Sequence, residues 1–178
     1  MDTFVLWPGS PRAVTHDHLP ALARRVPPAV LPVGVFVRPT EEDVTVALLA
    51  GIRAVQLHGF DAPPAWLPPS CEVWMAASLT EAGYSPDVPE NCLMLLDAHD
   101  PVQHGGTGRA IDWTRAAAIA RQRRLMLAGG LNPANVGAAI ETVQPYGVDV
   151  ASGIEQRPGI KDPDAMRDFV ARVRQSCP

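Results

Sequence analysis

Short apolar runs alternate along the chain with longer segments in which apolar residues recur at helical spacing. This alternation is typical of repeated βα units that build a parallel sheet. The apolar runs predict seven strands, at Thr3–Trp7, Leu31–Val37, Ala54–Leu57, Glu72–Ala77, Cys92–Leu96, Leu125–Ala128 and Val148–Ala151. The segments between them predict regular helices over about 16–26, from Thr40 onward, and over about 113–122, 133–143 and 163–175.

Capping residues and prolines mark the expected helix starts. Thr15, Thr40 and Asn132 each precede a helical pattern, and a proline follows Asn132 at the first helical position. Asp162 opens the closing helix in the same way. Two segments contain too much proline and glycine for long helices. Residues 60–70 therefore predict only a short or broken helix, and the crossover between the fourth and fifth strands predicts a stunted one.

Two glycine-bearing loops follow the last two predicted strands and have the features of an anion site. The first contains Gly129 and Gly130, and the second contains Ser152 and Gly153. Glycines let backbone N–H groups approach a ligand, and the helix after such a loop presents its positive dipole end. Two such loops in succession favour a (β/α) barrel that holds a substrate phosphate. Either loop alone is equally explained as a tight turn.

Composition adds limits to this picture. The 178 residues are 47% hydrophobic and 19% charged, which predicts one soluble globular domain. A net charge of −4 gives no electrostatic case for nucleic-acid binding, and no apolar run is long enough to predict a membrane span. Three cysteines without a CxxC spacing argue against a disulfide framework and fit a reducing, cytoplasmic compartment.

Taken in order, the short motifs form a set that closely resembles the phosphoribosylanthranilate isomerases, the (β/α)8 TIM-barrel enzymes of tryptophan biosynthesis. The likeness runs from about Phe4 to Val173. Each motif is weak evidence by itself, whereas the ordered set is specific. Its members are Val33-Gly34-Val35-Phe36-Val37, Val55-Gln56-Leu57-His58-Gly59, Leu95-Leu96-Asp97, Gly105-Gly106-Thr107-Gly108 with Asp112-Trp113, Leu127 to Val136, and Val148 to Glu155 with Pro158-Gly159-Ile160-Lys161-Asp162.

The resemblance implies an Amadori rearrangement, in which the aminoaldose N-(5-phosphoribosyl)anthranilate becomes an aminoketose. An acid must protonate the furanose ring oxygen, and a base must remove a proton from C2 of the resulting imine. Asp97 matches the general acid of the family. A carboxyl in that role needs a raised pKa, which burial beneath the loop 98–112 is expected to supply. Without the family pattern, an Asp that caps the following loop explains the residue as well.

The resemblance also assigns substrate contacts. Arg12 matches an arginine that grips the anthranilate carboxylate, although a solvated loop arginine is the ordinary alternative. Gln56 and His58 match a pocket-lining segment, and a merely packed His58 explains that residue equally well. Asp149 matches a pocket acid or a buried residue that orients its loop. The remaining matches shape the 98–112 loop (Gly105, Gly106) or bind phosphate (Gly129, Gly130, Ser152, Gly153). No cofactor is needed, and no clustered His, Cys and carboxylate pattern predicts a metal site.

The chain departs from the family at its start. The family's general base is a cysteine in a Lys-Ile-Cys-Gly-Ile-like motif on the first strand, and this motif does not occur here. Phe4 to Arg12 align instead with the second strand and its loop. We therefore expect a single barrel domain over residues 1–178 that lacks the first strand and helix, so that open sheet edges invite self-association. A start codon placed too late, a truly short chain and a deliberate truncation remain alternative explanations.

Three function hypotheses follow. The first is the isomerase, acting on a small phosphorylated substrate and impaired where the base is absent. The second is a non-catalytic phosphate-binding barrel or assembly partner. The third is another phosphate-binding barrel enzyme. An indole-glycerol-phosphate synthase would need lysines that are not found here, and nothing in the sequence suggests the metal site of a sugar-phosphate epimerase.

Overall fold

The structure, a computed structural model, describes residues 1–80, 83–97 and 112–176. Strands and helices alternate along most of this length. In chain order the elements are β1 (Asp2–Val5), α1 (Leu19–Ala23), β2 (Pro32–Val37), α2 (Glu41–Leu49), β3 (Ala54–His58), β4 (Glu72–Thr80), β5 (Gly83–Ser85), β6 (Leu93–Asp97), α3 (Trp113–Ala120), β7 (Leu125–Ala128), α4 (Val136–Val143), β8 (Gly147–Val148), β9 (Glu155–Arg157), β10 (Ile160–Lys161) and α5 (Pro163–Ser176).

All seven predicted strands are present in the described residues, most of them within a few residues of the predicted bounds. The last is the exception, because β8 ends at Val148 rather than at residue 151. Beyond it the chain leaves the sheet and enters a short 3-10 turn at Ser152–Ile154. The seven predicted strands are therefore all present, the last was predicted too long, and the short strands β5, β9 and β10 were not predicted.

The chain divides into two compact units. The first comprises Met1–Ala76 and Pro86–Cys92. Its strands β1, β2, β3 and the first part of β4, up to Ala76, lie side by side in that order, and each neighbouring pair is parallel. Side chains on both faces of the sheet are buried, and the largest of them give this unit its core: Phe36, Leu57, Leu19, Val44 and Val55.

The second unit comprises Ala77–Ser85 and Leu93–Pro178. Strands β6, β7 and β8 are parallel, with β7 in the middle. All four residues of β7 are buried, and burying a leucine such as Leu125 contributes about 2 kcal/mol. Helix α4 packs against α3 and α5. The expectation that residues 1–178 form a single domain stays a prediction.

Several helix predictions need correction. The first helix, Leu19–Ala23, is much shorter than 16–26, and Thr15 does not cap it. The Thr15 hydroxyl oxygen lies 2.8 Å from Nδ1 of His18, the residue before the helix. Residues 60–70 form turns without a helix. After β4, the described residues Gly83–Ser85 form a strand that pairs antiparallel with β4, where a stunted helix was expected. Short elements with many turn residues are the ones that local patterns misread.

The cap of α2 is confirmed. The Thr40 hydroxyl accepts a hydrogen bond from the Asp43 N–H at 3.2 Å, and the Asp43 carboxylate accepts one from the Thr40 N–H at 2.9 Å. These contacts hold the pKa of Asp43 below its ordinary value. Reciprocal bonding of this kind satisfies two backbone donors that a helix start otherwise leaves unpaired.

None of the helices in the described ranges is long and apolar enough to cross a membrane.

Candidate functional site

The loop after β7 depends on its two glycines. Gly129 has φ +89° and Gly130 has φ +64°. Residues other than glycine adopt this backbone region only with strain. The Asn135 side chain donates a hydrogen bond to the Gly130 carbonyl at 3.0 Å and so holds the second glycine in place. Among the described residues, no backbone hydrogen bond is found for the N–H of either glycine. Both N–H groups are therefore available to an incoming anion.

Asn132 stabilises this loop, but it does not cap the helix as predicted. Its side-chain oxygen accepts hydrogen bonds from the N–H groups of Ala134 at 2.8 Å and Asn135 at 3.2 Å. Its own N–H donates to the Asn135 side chain at 2.8 Å. These bonds close a turn that precedes the helix, so α4 starts at Val136 instead of at Pro133. An Asn side chain closes such a turn as readily as it caps a helix, and the sequence does not separate the two cases.

The second loop touches the first at Gly153. A Cβ atom at Gly153 would lie 1.8 Å from the Leu131 carbonyl oxygen and 2.8 Å from the Leu131 carbonyl carbon. Only glycine allows this approach of two backbones. The structure thus brings together the two loops that carry the predicted phosphate residues, which are Gly129 and Gly130 on one side and Ser152 and Gly153 on the other.

Two carboxylates flank the end of β7. Asp97 is the last residue of β6 and lies in register with Ala128, the last residue of β7. On the other side, the Asp149 N–H donates a hydrogen bond to the Leu127 carbonyl at 2.8 Å. Both acids therefore lie at the carboxyl end of the strand that leads into the glycine loop, where the catalytic residues of parallel barrels are found.

Burial raises the pKa of the Asp149 carboxyl above its ordinary value. The charge of Lys161 opposes this shift, and the negative charge of Asp97 adds to it. Desolvation and a like charge both disfavour an ionised carboxylate. Asp149 therefore holds its proton to higher pH than an exposed aspartate.

Lys161 is a cation that the sequence analysis gave no role. Its Nζ donates to the Ala151 carbonyl at 2.8 Å and to the Glu155 carboxylate at 3.0 Å. The Glu155 side chain is only 3% exposed and the Lys161 side chain is 40% exposed, so the carboxylate is shielded from water while the ammonium group is not. Lys161 thereby ties the short antiparallel pair β9–β10 to the backbone just before Ser152. A Pro-Gly turn at Pro158-Gly159 was the available sign of this hairpin.

The remaining predicted residues in the described ranges belong to the first unit. Gln56 and His58 lie at the carboxyl end of β3, where Gln56 Nε2 is 2.8 Å from His58 Nε2. Arg12 is half-buried in the loop after β1, and its N–H donates to the Ser10 hydroxyl at 3.1 Å. Gly105 and Gly106 lie outside the described residues.

A cleft of about 470 Å³ also lies in the first unit, near the ends of β1 and β2. Its walls are mostly apolar, and its charged lining residues include Arg38 and Asp43. Arg12 does not line this cleft. The cleft therefore does not account for the predicted carboxylate contact of Arg12. Within the described ranges, no three His, Cys, Asp or Glu residues are grouped so as to hold a metal ion.

Known proteins match nearly the whole chain. The family profile of N-(5'-phosphoribosyl)anthranilate isomerase matches residues 2–172. The isomerase of that name from Desulforudis audaxviator is 42% identical over 179 residues, which cover 97% of this chain and 86% of the relative.

Solved structures give the same result. The crystal structure of phosphoribosyl anthranilate isomerase from Thermotoga maritima resembles this chain with a TM-score of 0.81 at 31% identity, covering 97% of this chain and 87% of that one. A phosphoribosyl anthranilate isomerase in complex with reduced 1-(o-carboxyphenylamino)-1-deoxyribulose 5-phosphate has a TM-score of 0.77 at 29% identity and covers 97% and 86%. These likenesses confirm the predicted fold class, α/β of the (β/α)8-barrel type.

Proposed function

The chain belongs to the N-(5'-phosphoribosyl)anthranilate isomerase family, and from this premise we propose how its residues hold and convert the substrate. The reaction is the Amadori rearrangement of N-(5-phosphoribosyl)anthranilate to the 1-deoxyribulose 5-phosphate product, a step of tryptophan biosynthesis. The substrate has a phosphate at one end and an aromatic carboxylate at the other. The chain must therefore recognise two anionic groups and supply an acid between them.

We assign the phosphate to the paired loops of the second unit. Backbone N–H groups of Gly129 and Gly130 on one loop, and of Gly153 with the Ser152 hydroxyl on the other, would donate to its oxygens. The contact between Gly153 and Leu131 supports this assignment most directly, because it fixes one loop against the other. A preformed set of donors binds an anion without the cost of ordering a loop at the moment of binding.

Asp97 is proposed as the general acid that protonates the ring oxygen and opens the furanose. Its register with Ala128 leaves it beside the strand whose next residue is Gly129. An acid beside the phosphate loop suits a substrate in which the phosphate and the reacting sugar are joined by one carbon. Asp149 is proposed as a second pocket acid, and its raised pKa favours a protonated, hydrogen-bond-donating form.

Recognition of the anthranilate group is proposed, on the family resemblance, for Arg12, Gln56 and His58. Arg12 would pair with the carboxylate, since a guanidinium fork matches a planar carboxylate in two parallel hydrogen bonds. Gln56 and His58 would line the pocket. The roles proposed for Gly105 and Gly106 in shaping the 98–112 loop rest on the family resemblance alone.

The reaction also needs a general base, which removes the proton from C2. The Lys-Ile-Cys-Gly-Ile-like segment that supplies it in the family does not occur among these 178 residues. Binding of the substrate phosphate does not require that cysteine, whereas removal of the C2 proton does. Loss of a general base costs about 10²–10⁴-fold in rate. We therefore expect the 178 residues to bind the ligand well and to turn it over poorly unless a base is supplied.

Self-association is proposed to occur through β1. The backbone N–H and C=O groups of the even-numbered residues of β1, such as Phe4, point toward β2. The Asp2 N–H donates to the Leu31 carbonyl just before β2, and the Leu6 N–H donates to the Val35 carbonyl within it. The backbone groups of Thr3 and Val5 point the other way. Within the described residues Val5 is already engaged there, because it forms an isolated parallel bridge with Ala13 and its carbonyl accepts from the Val14 N–H at 2.8 Å. The backbone groups of Thr3 would then offer the edge that accepts another strand.

Genetic complementation tests the proposed function. The 178-residue chain is expressed in a tryptophan auxotroph that lacks the isomerase, beside the same chain carrying Asp97→Asn. Slow growth with the unaltered chain, in keeping with its reduced turnover, and no growth with the Asp97→Asn chain would support the isomerase with Asp97 as its acid. If the chain fails to rescue growth but binds the reduced substrate analogue in vitro, the non-catalytic binding protein is the better description.

A further inference from the structure

Gln56 and His58 make a side-chain pair with one unusual property. They are two residues apart on β3, so their side chains lie on the same side of the strand. Gln56 is only 4% exposed. Its Nε2 lies 2.8 Å from His58 Nε2, and its Oε1 is buried without a hydrogen-bond partner in the described part of the chain. The amide nitrogen, and not the amide oxygen, thus faces the ring.

This orientation determines which ring nitrogen carries the proton. The Gln56 amide nitrogen is a donor only, so His58 Nε2 must accept. A neutral imidazole that accepts at Nε2 carries its proton at Nδ1. The reversed amide would allow the opposite tautomer, but it would leave both amide N–H groups in the buried position that Oε1 now occupies. Orphaned N–H groups are rarer in protein interiors than under-satisfied carbonyl oxygens, and the observed orientation avoids them.

We propose that Gln56 is a positioning residue that holds neutral His58 in its Nδ1–H tautomer. Nε2 is then occupied as an acceptor, and Nδ1 is restricted to donating a hydrogen bond. A ring in this state has no free lone pair with which to remove a proton from carbon.

This inference has a mechanistic consequence that rests on the proposed function. If the chain handles the phosphoribosylated substrate, His58 does not replace the cysteine base of the family. Gln56 enforces that restriction from its buried position. Its own side chain does not need to touch the substrate.

The tautomer of His58 is measured directly by NMR on protein with 15N-labelled histidine. Long-range correlations connect the carbon-bound protons of the imidazole ring with both ring nitrogens. The chain has five histidines, and His58→Asn identifies the signals of His58 by their loss. We expect a protonated-type Nδ1 and an unprotonated-type Nε2 near neutral pH. The Nδ1–H form should exceed the other by about tenfold, the factor that one net hydrogen bond supplies.

Two substitutions test the role of Gln56. Gln56→Glu presents only acceptors and should move the proton to Nε2. Gln56→Met keeps the approximate size of the side chain without any donor and should leave a mixture of tautomers. If the buried carboxylate of Gln56→Glu prevents folding, Gln56→Met alone provides the test. An unaltered chain with the proton on Nε2, or a pattern that neither substitution changes, would overturn the proposal.

A second readout separates positioning from simple packing. Analogue affinity should fall in Gln56→Glu, and the same change made in a His58→Asn background should add no further loss. An equal loss in both backgrounds would mean that Gln56 acts by itself and would contradict the positioning role. The NMR result needs no substrate, so it stands or fails independently of the isomerase assignment.

Discussion

Gly153 lies directly against the carbonyl group of Leu131, so closely that a Cβ atom at Gly153 would stand 1.8 Å from that oxygen. Leu131 itself is buried and cannot move away easily. This single contact locks the loop after β8 onto the loop after β7. The geometry of the proposed phosphate site therefore depends on the absence of a Cβ atom at Gly153.

Gly153→Ala should force the two loops apart. Overpacking of this kind costs about 1–3 kcal/mol, and a similar loss in binding corresponds to roughly a 10- to 100-fold weaker affinity for the substrate analogue. Calorimetric titration and urea unfolding measure the two effects. Gly137→Ala in α4 is the matched control, because its Cβ would meet only the Ser176 side chain, at 3.1 Å. Equal effects of the two substitutions would count against the proposed contact.

Asn132 allows stability to be separated from anion binding. Asn132→Ala removes the acceptor for two N–H groups and should cost about 1 kcal/mol of unfolding free energy. Asn132→Asp keeps the acceptor but adds a negative charge beside the glycine loop. We expect the Asp variant to retain stability and to lose affinity for the phosphorylated analogue, which urea unfolding and titration would detect. An Asp variant that binds as tightly as the unaltered chain would show that no phosphate lies near this turn.

The raised pKa of Asp149 predicts a pH-dependent stability. A buried carboxyl whose folded pKa lies above its unfolded value stabilises the fold fully only below the unfolded value, near 3.8. That contribution is lost as the pH rises through the folded pKa. Asp149→Asn does not ionise, so its stability relative to the unaltered chain should increase from about pH 4 toward neutrality. Urea unfolding at several pH values gives this difference. A difference that stays constant with pH, or that decreases, would contradict the assigned shift.

The ion pair of Lys161 and Glu155 should stabilise the hairpin that leads into α5. Lys161→Met removes a cationic partner from the buried Glu155 carboxylate and should cost about 2 kcal/mol at neutral pH, since losing a charge-assisted hydrogen bond to a buried group is expensive. The added change Glu155→Gln should recover most of the loss. Thermal or urea unfolding of the single and double variants tests this pair. A double variant no more stable than the single one would mean that the pair contributes through another contact.

Sequence patterns predicted the strands of this chain and the loops that follow them better than its turns. Gly129, Gly130 and Gly153 were recognisable because glycine after a buried strand has few explanations. Asp97 was recognisable in the same way, as the last residue of the buried strand β6. Asn132 was misread as a helix cap, since the same side-chain bonds close an isolated turn. The β9–β10 hairpin was missed because its strands have only three and two residues. Local pattern therefore identified which loops contain glycines of unusual backbone conformation, but it did not resolve how short segments fold back.

Two site features were beyond the reach of any local pattern. Lys161 pairs with Glu155 only because the hairpin folds back, and the sequence separation of six does not fit a helix or a single strand. The pKa of Asp149 depends on burial and on the charges of Lys161 and Asp97, which come from distant parts of the chain. Long-range packing determines both.

The most direct test of the account measures how much the substrate phosphate contributes to binding. Calorimetric titration compares reduced 1-(o-carboxyphenylamino)-1-deoxyribulose 5-phosphate with the same compound lacking its phosphate, on the unaltered chain and on Gly153→Ala. The paired loops predict that removing the phosphate weakens binding by about 100-fold or more on the unaltered chain, as expected for loss of several charge-assisted hydrogen bonds. The difference should shrink on Gly153→Ala. Equal affinities for the two compounds on the unaltered chain would contradict the phosphate site.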